Sequence, residues 1–212
     1  MAKYERGILG SFKGQVGTVV GATWKGMEIM KIKRRSSNGK PTQKQVEQQA
    51  RFSFLVKFIA PLAKLLDLSF NMPGVQKTGV NNAFHYNYKN ALRGVYPSFS
   101  FDYSKVLVSK GDLHPAKNPA ASAVGSDLVK FTWGNNSGIA QANATDKCIM
   151  VVHCPEVNRS VYITAGATRD AESDTIDAGI FTGLSVETWL AFISEDGHEV
   201  ATSVYTGQLV IS

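Results

Sequence analysis

The chain has 212 residues, a hydrophobic fraction of 43% and a formal net charge of +6. This length suits one large domain or two small ones, and the composition excludes a disordered chain. No run of eighteen apolar residues occurs, so no membrane span is expected.

The positive charge lies in the first part of the chain. Residues 1–102 carry a net charge of +11, whereas residues 103–212 carry −5. This asymmetry predicts two domains, a basic one over 1–102 and an acidic one over 103–212. It also allows the basic half of one copy to face the acidic half of another. The N-terminus lacks the apolar stretch of a secretory signal peptide, so we expect a protein that stays in the cytoplasm or leaves it by a signal-independent route.

Residues 7–33 combine glycine with β-branched residues, a composition that predicts a β-ribbon. Lys25-Gly26 is the predicted hairpin turn, and the other glycines indicate bends or places where another backbone comes close. Because a two-stranded ribbon alone is only marginally stable, it must pack on its own chain or on a second copy. The predicted subunit-interface residues are Gly14, Val16, Gly17, Val19, Val20, Gly21 and Trp24.

A basic cluster follows the ribbon. Its members are Lys31, Lys33, Arg34, Arg35 and Lys40. These cations suit contacts to phosphates, which makes nucleic-acid binding an alternative function. No aromatic residues alternate with them, so the pattern does not indicate a stacking platform for single strands. A solvated face, or a contact with the acidic half of another copy, explains the cluster equally well.

Three helices are predicted next. The first begins after Thr42 and runs to residue 60, where Pro61 breaks or kinks it. A short helix covers residues 62–70. Thr78 caps a third helix over 79–93, and Gly94 is its predicted terminator.

The second half of the sequence predicts mostly strands. They cover residues 105–111, 127–135, 147–155, 160–166, 174–179, 186–197 and 203–211. Seven short strands at this spacing predict a two-sheet sandwich of immunoglobulin or fibronectin type III style. The predicted fold class is therefore α+β, mostly β, with a glycine-rich ribbon and helices before the sandwich. Residues 114–126 are predicted to form a surface loop, Asp196-Gly197 a hairpin turn, and Trp133 and Trp189 the aromatic core.

No motif of known catalytic or metal-binding chemistry occurs. Cys148 and Cys154 fall on one face of a single strand, so they are predicted to be buried, reduced thiols. His153 points away from Cys154, which argues against a nucleophilic pair. The acidic residues Asp170, Glu172, Asp174 and Asp177 lack the order of a calcium-binding loop and are predicted to form a solvated loop. We expect no enzymatic activity, no cofactor and no metal.

Four segments carry a family resemblance: KYERGILGSFKGQVGTVVGATWKG, TGVNNAFHYNYKNALRG, YPSFSFDYSKVLVSKGDL and AFISEDGHEVATSVYTG. The chain resembles a family of Bacteroidota proteins of about this length and of unknown function. The resemblance is specific at the N-terminal glycines, at Asn82-Ala83 with Tyr86-Asn87, and at residues 192–197. It implies a bacterial or phage-linked origin and transfers no site residues.

The leading functional hypothesis is a structural subunit of a filament, a surface structure or a phage-like particle, with other copies of itself as partners. Strand addition between copies would satisfy the free edge of the ribbon. The alternatives are a nucleic-acid-binding protein and a carbohydrate or cell-surface binding module. For the last, Trp24, Trp133 and Trp189 are the candidate platforms, although all three lie in strand patterns typical of core residues.

Overall fold

The computed structural model describes residues 2–3, 12–24, 26–34, 39–70, 78–125 and 127–211. The chain forms two compact units, Met1–Thr42 and Gln43–Ser212. The fold is mostly β, as the sequence predicts. Among the described helices, none has the length and apolar character needed to cross a membrane.

The first unit is an antiparallel sheet with the strand order β1-β4-β3-β2. Its strands are β1 (Ala2–Lys3), β2 (Gly14–Val16), β3 (Val19–Trp24) and β4 (Met27–Ile32). The hairpin turn at Gly26 is confirmed, with a φ of +77° that favours glycine. Lys25 lies outside the described residues.

The second unit begins with the three predicted helices, α1 (Gln43–Ile59), α2 (Ala63–Ser69) and α3 (Gly79–Asn90). The Thr78 side chain accepts a hydrogen bond from the backbone N–H of Asn81, which confirms the predicted cap. The predicted end of the third helix at Gly94 is wrong. The helix ends at Asn90, because the chain then enters a hairpin of β5 (Leu92–Val95) and β6 (Ser98–Phe101), in which Gly94 has a φ of +85°.

Two further antiparallel sheets follow, with the strand orders β10-β9-β12-β13 and β11-β8-β7. Their strands are β7 (Lys117–Val124), β8 (Leu128–Gly134), β9 (Lys147–Cys154), β10 (Arg159–Ile163), β11 (Ser173–Asp177), β12 (Ser185–Ile193) and β13 (Val204–Val210).

The four-stranded sheet is the middle layer of the second unit. On β9, Ile149 and Val151 pack with the helices, whereas Met150 and Val152 pack with Phe131 of the three-stranded sheet. Strands β9 and β12 are therefore buried on both faces, which explains their nearly continuous apolar sequence. Because the helices and these strands share one core, the predicted domain boundary at residue 102 falls inside the second unit.

Two predicted segments differ in the structure. Residues 114–126 are not a loop, because 117–124 form the edge strand β7; Pro119 lies at a register shift, where an edge strand tolerates the missing N–H. Residues 105–111 are not a strand. Their backbone forms no ladder with a strand and bonds instead to scattered groups, which include the Ser203 hydroxyl, to which Val108 donates, and the Ser69 carbonyl, to which Lys110 donates.

Candidate interaction surface

The predicted interface residues lie on both faces of the first sheet. Residues paired across antiparallel strands point to the same face, so Val16, Val19 and Ile32 share one face. Val20 and Trp24 lie on the other. Gly14 pairs with Gly21 on the first face, and Gly17 forms the β2–β3 turn with a φ of +59°.

This sheet buries very little of itself. Among residues 12–24, 26–34 and 39–42 of the first unit, Gly21 alone is buried. A side chain at Gly21 would collide with the carbonyl oxygen and ring of Phe12, so the predicted close backbone approach is confirmed there. By contrast, Val16 is 67% exposed and Ile32 is 81% exposed. The sheet therefore presents apolar side chains to solvent.

The basic residues lie at the end of β4 and in the chain that follows it. Lys31 lies in that strand on the face of Val20, Lys33 and Arg34 follow it, and Lys40 lies beyond; these four are exposed. Arg35 lies outside the described residues. Residues 1–42 carry a net charge of +7 and residues 43–212 carry −1. The positive charge is thus concentrated in the first unit.

The tryptophans have different environments. Trp133 and Trp189 are buried, as predicted for core residues, and their indole N–H groups donate to the carbonyls of Arg169 and Val106. Neither indole is available to stack on a sugar. Trp24 is about half exposed, so of the three tryptophans predicted as sugar platforms it is the one with an accessible side chain.

The motif around Asn82 and Asn87 builds the helical core. Asn82 donates to the carbonyl of Phe70, and Ala83 is fully buried. The buried Asn87 side chain bonds both backbone groups of Leu107, accepting from its N–H and donating to its C=O, each at 3.0 Å. The Asn87 amide thus forms the pair of backbone hydrogen bonds that a neighbouring strand would otherwise make with Leu107. The motif therefore has a structural role.

The motif at residues 192–197 forms a turn. The Ser194 hydroxyl donates to the Asp196 carboxylate at 2.5 Å and accepts from the backbone N–H of Glu199. Gly197 has a φ of +75° and donates to the Ser194 carbonyl. The predicted turn at Asp196-Gly197 is confirmed.

A buried ion pair was missed by the sequence analysis. The Arg169 guanidinium bonds the Asp146 carboxylate, the side-chain oxygen of Asn136 and the carbonyl of His114. Its carbon lies 3.8 Å from the ring centroid of Phe192. Each of its three nitrogen atoms bonds a protein group and the side chain is fully buried, so Arg169 has a structural role in the core.

Two further titratable groups are buried in the second unit. His153 packs edge-on against Phe58, and burial lowers its pKa to about 4.

Glu187 accepts a hydrogen bond from the Tyr205 hydroxyl at 2.5 Å. Burial, and then the charge of Glu187, raise the pKa of Tyr103 to about 12.

The cysteines match their prediction. Cys148 and Cys154 are free and buried, and both belong to the core between the two sheets. His153 lies on the helix side of the same strand, so His153 and Cys154 point apart. Burial, and then the nearby Asp174 charge, raise the pKa of Cys148 and keep its thiol protonated.

The acidic cluster is only partly a loop. Asp174 and Asp177 lie in β11, and Asp174 accepts from the N–H of Ala167 at 2.7 Å. No group of three or more acidic, histidine or cysteine side chains suited to a metal ion occurs within the described ranges.

These features define a two-unit, mostly β protein whose specific motifs hold its core and turns. A family of unknown function, DUF6266, matches residues 11–207. The chain belongs to this family, which confirms the resemblance seen in the sequence; the Bacteroidota origin stays a prediction. Among curated proteins, none matches the chain significantly.

Proposed function

We propose that the protein is a non-enzymatic structural subunit that self-associates through its N-terminal sheet. The observation that carries this proposal is that, within residues 12–24 and 26–34, the sheet buries Gly21 alone and exposes Val16 and Ile32. Apolar residues on a small sheet gain stability when another surface covers them. The short edge strand β2 also offers backbone groups for pairing with another chain.

Charge favours an acidic partner surface on another copy. The first unit carries +7, so two such sheets repel each other. The edge strand β11 carries Asp174 and Asp177, and Asp170 and Glu172 precede it. A basic sheet on this acidic edge of the next copy is a head-to-tail contact, which generates rings or filaments.

We also infer that the second unit contains a sandwich of immunoglobulin or fibronectin type III style. Its support is the two antiparallel sheets of residues 117–210, which share one apolar core that includes Trp133 and Phe192. Sandwiches of this kind serve as spacer or adhesive modules, which suits a structural subunit.

Sedimentation velocity tests the self-association. We expect species larger than a monomer at about 0.15 M salt and weaker association at about 1 M, where the Debye length is about 3 Å. Val16→Asp and Ile32→Asp should shift the protein to the monomer. Val95→Asp is the matched control, because Val95 is 80% exposed in the second unit. A wild-type protein that stays monomeric at high concentration contradicts the proposal.

Nucleic-acid binding is the second candidate function, favoured by the exposed Lys31, Lys33 and Arg34 in a unit of charge +7. Fluorescence anisotropy with single- and double-stranded oligonucleotides at increasing salt tests it. Replacing these three residues by Gln should abolish binding, whereas Gln at three exposed lysines of the second unit, Lys57, Lys64 and Lys130, should not. Absence of binding at low salt rejects this candidate.

A further inference from the structure

We propose that the groove between α1 and the β5–β6 hairpin binds the carboxylate of a small organic acid with an apolar body. The groove has a volume of about 360 Å³. Pockets for small molecules have volumes of about 300–1,000 Å³, so a compact ligand fits. Both walls belong to the second unit.

One face of α1 forms the polar wall. The groove is lined on this side by Lys44, Glu47, Gln48 and Arg51. The last three follow Lys44 by three, four and seven residues, a spacing that places all four on one side of the helix. A helix of ordinary amphipathic pattern has apolar residues at this spacing where it faces a neighbouring element. The helix side of the groove is therefore polar and carries charged side chains that can contact a polar ligand.

Two aromatic rings contact Arg51, and its ion-pair partner is absent among the residues that the structure describes. Its guanidinium carbon lies 5.7 Å from the ring centroid of Tyr88 and 5.8 Å from that of Phe99. Gln48 donates to the Tyr88 hydroxyl at 2.7 Å and so positions that ring. The Nε atom of Arg51 is buried and has no hydrogen-bond acceptor among the described residues. Buried donors are normally paired, so this nitrogen is an exception, and the guanidinium keeps hydrogen-bonding capacity that protein groups do not use.

A carboxylate is the acceptor that best fits the charges. A guanidinium offers two parallel N–H donors that match a carboxylate, and Lys44 adds a second cation to the groove. Glu47 lines the same groove, so the charged side chains of the wall sum to +1. A monoanion balances this charge, whereas a phosphate dianion exceeds it and is repelled by Glu47.

The hairpin wall selects an apolar body for the ligand. Val95, Tyr96 and Phe99 line this side, and Val95 is 80% exposed. Aromatic and aliphatic surface around a few polar groups is the usual composition of a small-molecule pocket. The ligand class is therefore an aromatic or aliphatic monocarboxylic acid.

Isothermal titration calorimetry on the full chain, with phenylacetate as the probe, tests the proposal. We expect saturable binding of one phenylacetate per chain. Phenylacetamide, which lacks the charge, should show no saturable binding, and inorganic phosphate should bind at least about tenfold more weakly than phenylacetate. Saturable binding of phenylacetamide with equal affinity, or no saturable binding of phenylacetate, overturns the proposal.

Variants locate the site. Arg51→Gln and Lys44→Gln should each weaken phenylacetate binding at least about tenfold. Lys57→Gln is the control, because Lys57 is an exposed lysine of α1 that does not line the groove. Lys44 is exposed, so its replacement leaves the fold intact even if the loss of Arg51 unfolds the protein. Unchanged affinity in Lys44→Gln overturns the proposal, and this readout is independent of self-association.

Discussion

The Arg169 guanidinium and the Asp146 carboxylate form an ion pair at 3.0 Å with both side chains buried. Asp146 precedes β9, and Arg169 begins a short 3₁₀ turn before β11. The pair therefore joins segments of the two sheets. Since water cannot replace either partner, each charge depends on the other.

Asp146→Asn should destabilise the protein by about 3–5 kcal/mol, because it leaves the Arg169 charge buried and unpaired. Urea unfolding measures the loss. Arg93→Ala is the matched control, because it removes an ion pair with Asp102 in which the Arg93 side chain is 53% exposed, and its effect should be much smaller. Equal losses in both variants contradict this prediction.

Asn87→Ala should cost about 3 kcal/mol of unfolding free energy, because the partly buried N–H and C=O of Leu107 lose their bonds to the fully buried Asn87 amide. Chemical denaturation gives the value. Asn90→Ala provides the comparison, since the Asn90 amide donates to Tyr86 within the same helix. An Asn87→Ala variant as stable as Asn90→Ala shows that the bridge to Leu107 contributes nothing.

His153 should make stability fall with acidification. Its folded pKa of about 4 lies below the unfolded value, so the unfolded chain binds the proton first. The free energy of unfolding is therefore unaffected by protonation of His153 above about pH 6.5. It falls by up to about 3 kcal/mol as the pH is lowered towards 4. Unfolding curves of His153→Gln should show a weaker pH dependence in this window. His198→Gln, at an exposed site, should retain the wild-type dependence.

Gly111→Ala should lower the free energy of unfolding by about 1–3 kcal/mol, because the added methyl group collides with the carbonyl oxygen of Val200. That oxygen accepts from the backbone N–H of Leu113, so the backbone cannot move away freely. Gly134→Ala is the control, since its methyl group would meet its nearest neighbour, Lys117, at 3.6 Å. Thermal unfolding compares the two, and equal melting temperatures refute the steric argument.

Residues 43–212 should fold without the first unit. Both hydrophobic clusters of the described chain consist of residues from 55 onwards. A truncated protein that begins at Gln43 should therefore unfold cooperatively and keep its near-ultraviolet circular dichroism. It should also sediment as a monomer if the N-terminal sheet drives association. Loss of fixed tertiary packing in the truncated protein contradicts the first expectation.

Local patterns predicted most of the elements of the second unit. The apolar spacing along α1 and the Thr78 cap before α3 are signals within one or two helical turns, and the structure has both helices. The turn at Asp196-Gly197 depends equally on its own residues. These features could be predicted because their hydrogen bonds close between near neighbours in the chain.

Features that depend on distant partners were missed. Strand β7 has the Pro- and Ala-rich composition of a loop. It is nevertheless a strand, because its backbone pairs with that of β8. Residues 105–111 have a strand-like composition, yet their hydrogen-bond partners are scattered groups such as the Ser203 hydroxyl and the Ser69 carbonyl, not a neighbouring strand. The sequence did not single out Arg51 as a candidate binding residue, because the rings that it contacts, Tyr88 and Phe99, lie far from it along the chain.

The sequence by itself determined the mostly β class, the family and the positive charge of the first forty-two residues, since all of these are properties of composition or short-range pattern. Only the tertiary structure decided that β9 is covered on both faces, that Arg169 meets Asp146 and that a groove forms beside Arg51. Each of these arises where segments far apart in the chain pack together, and their free energy depends on distances that no local pattern encodes.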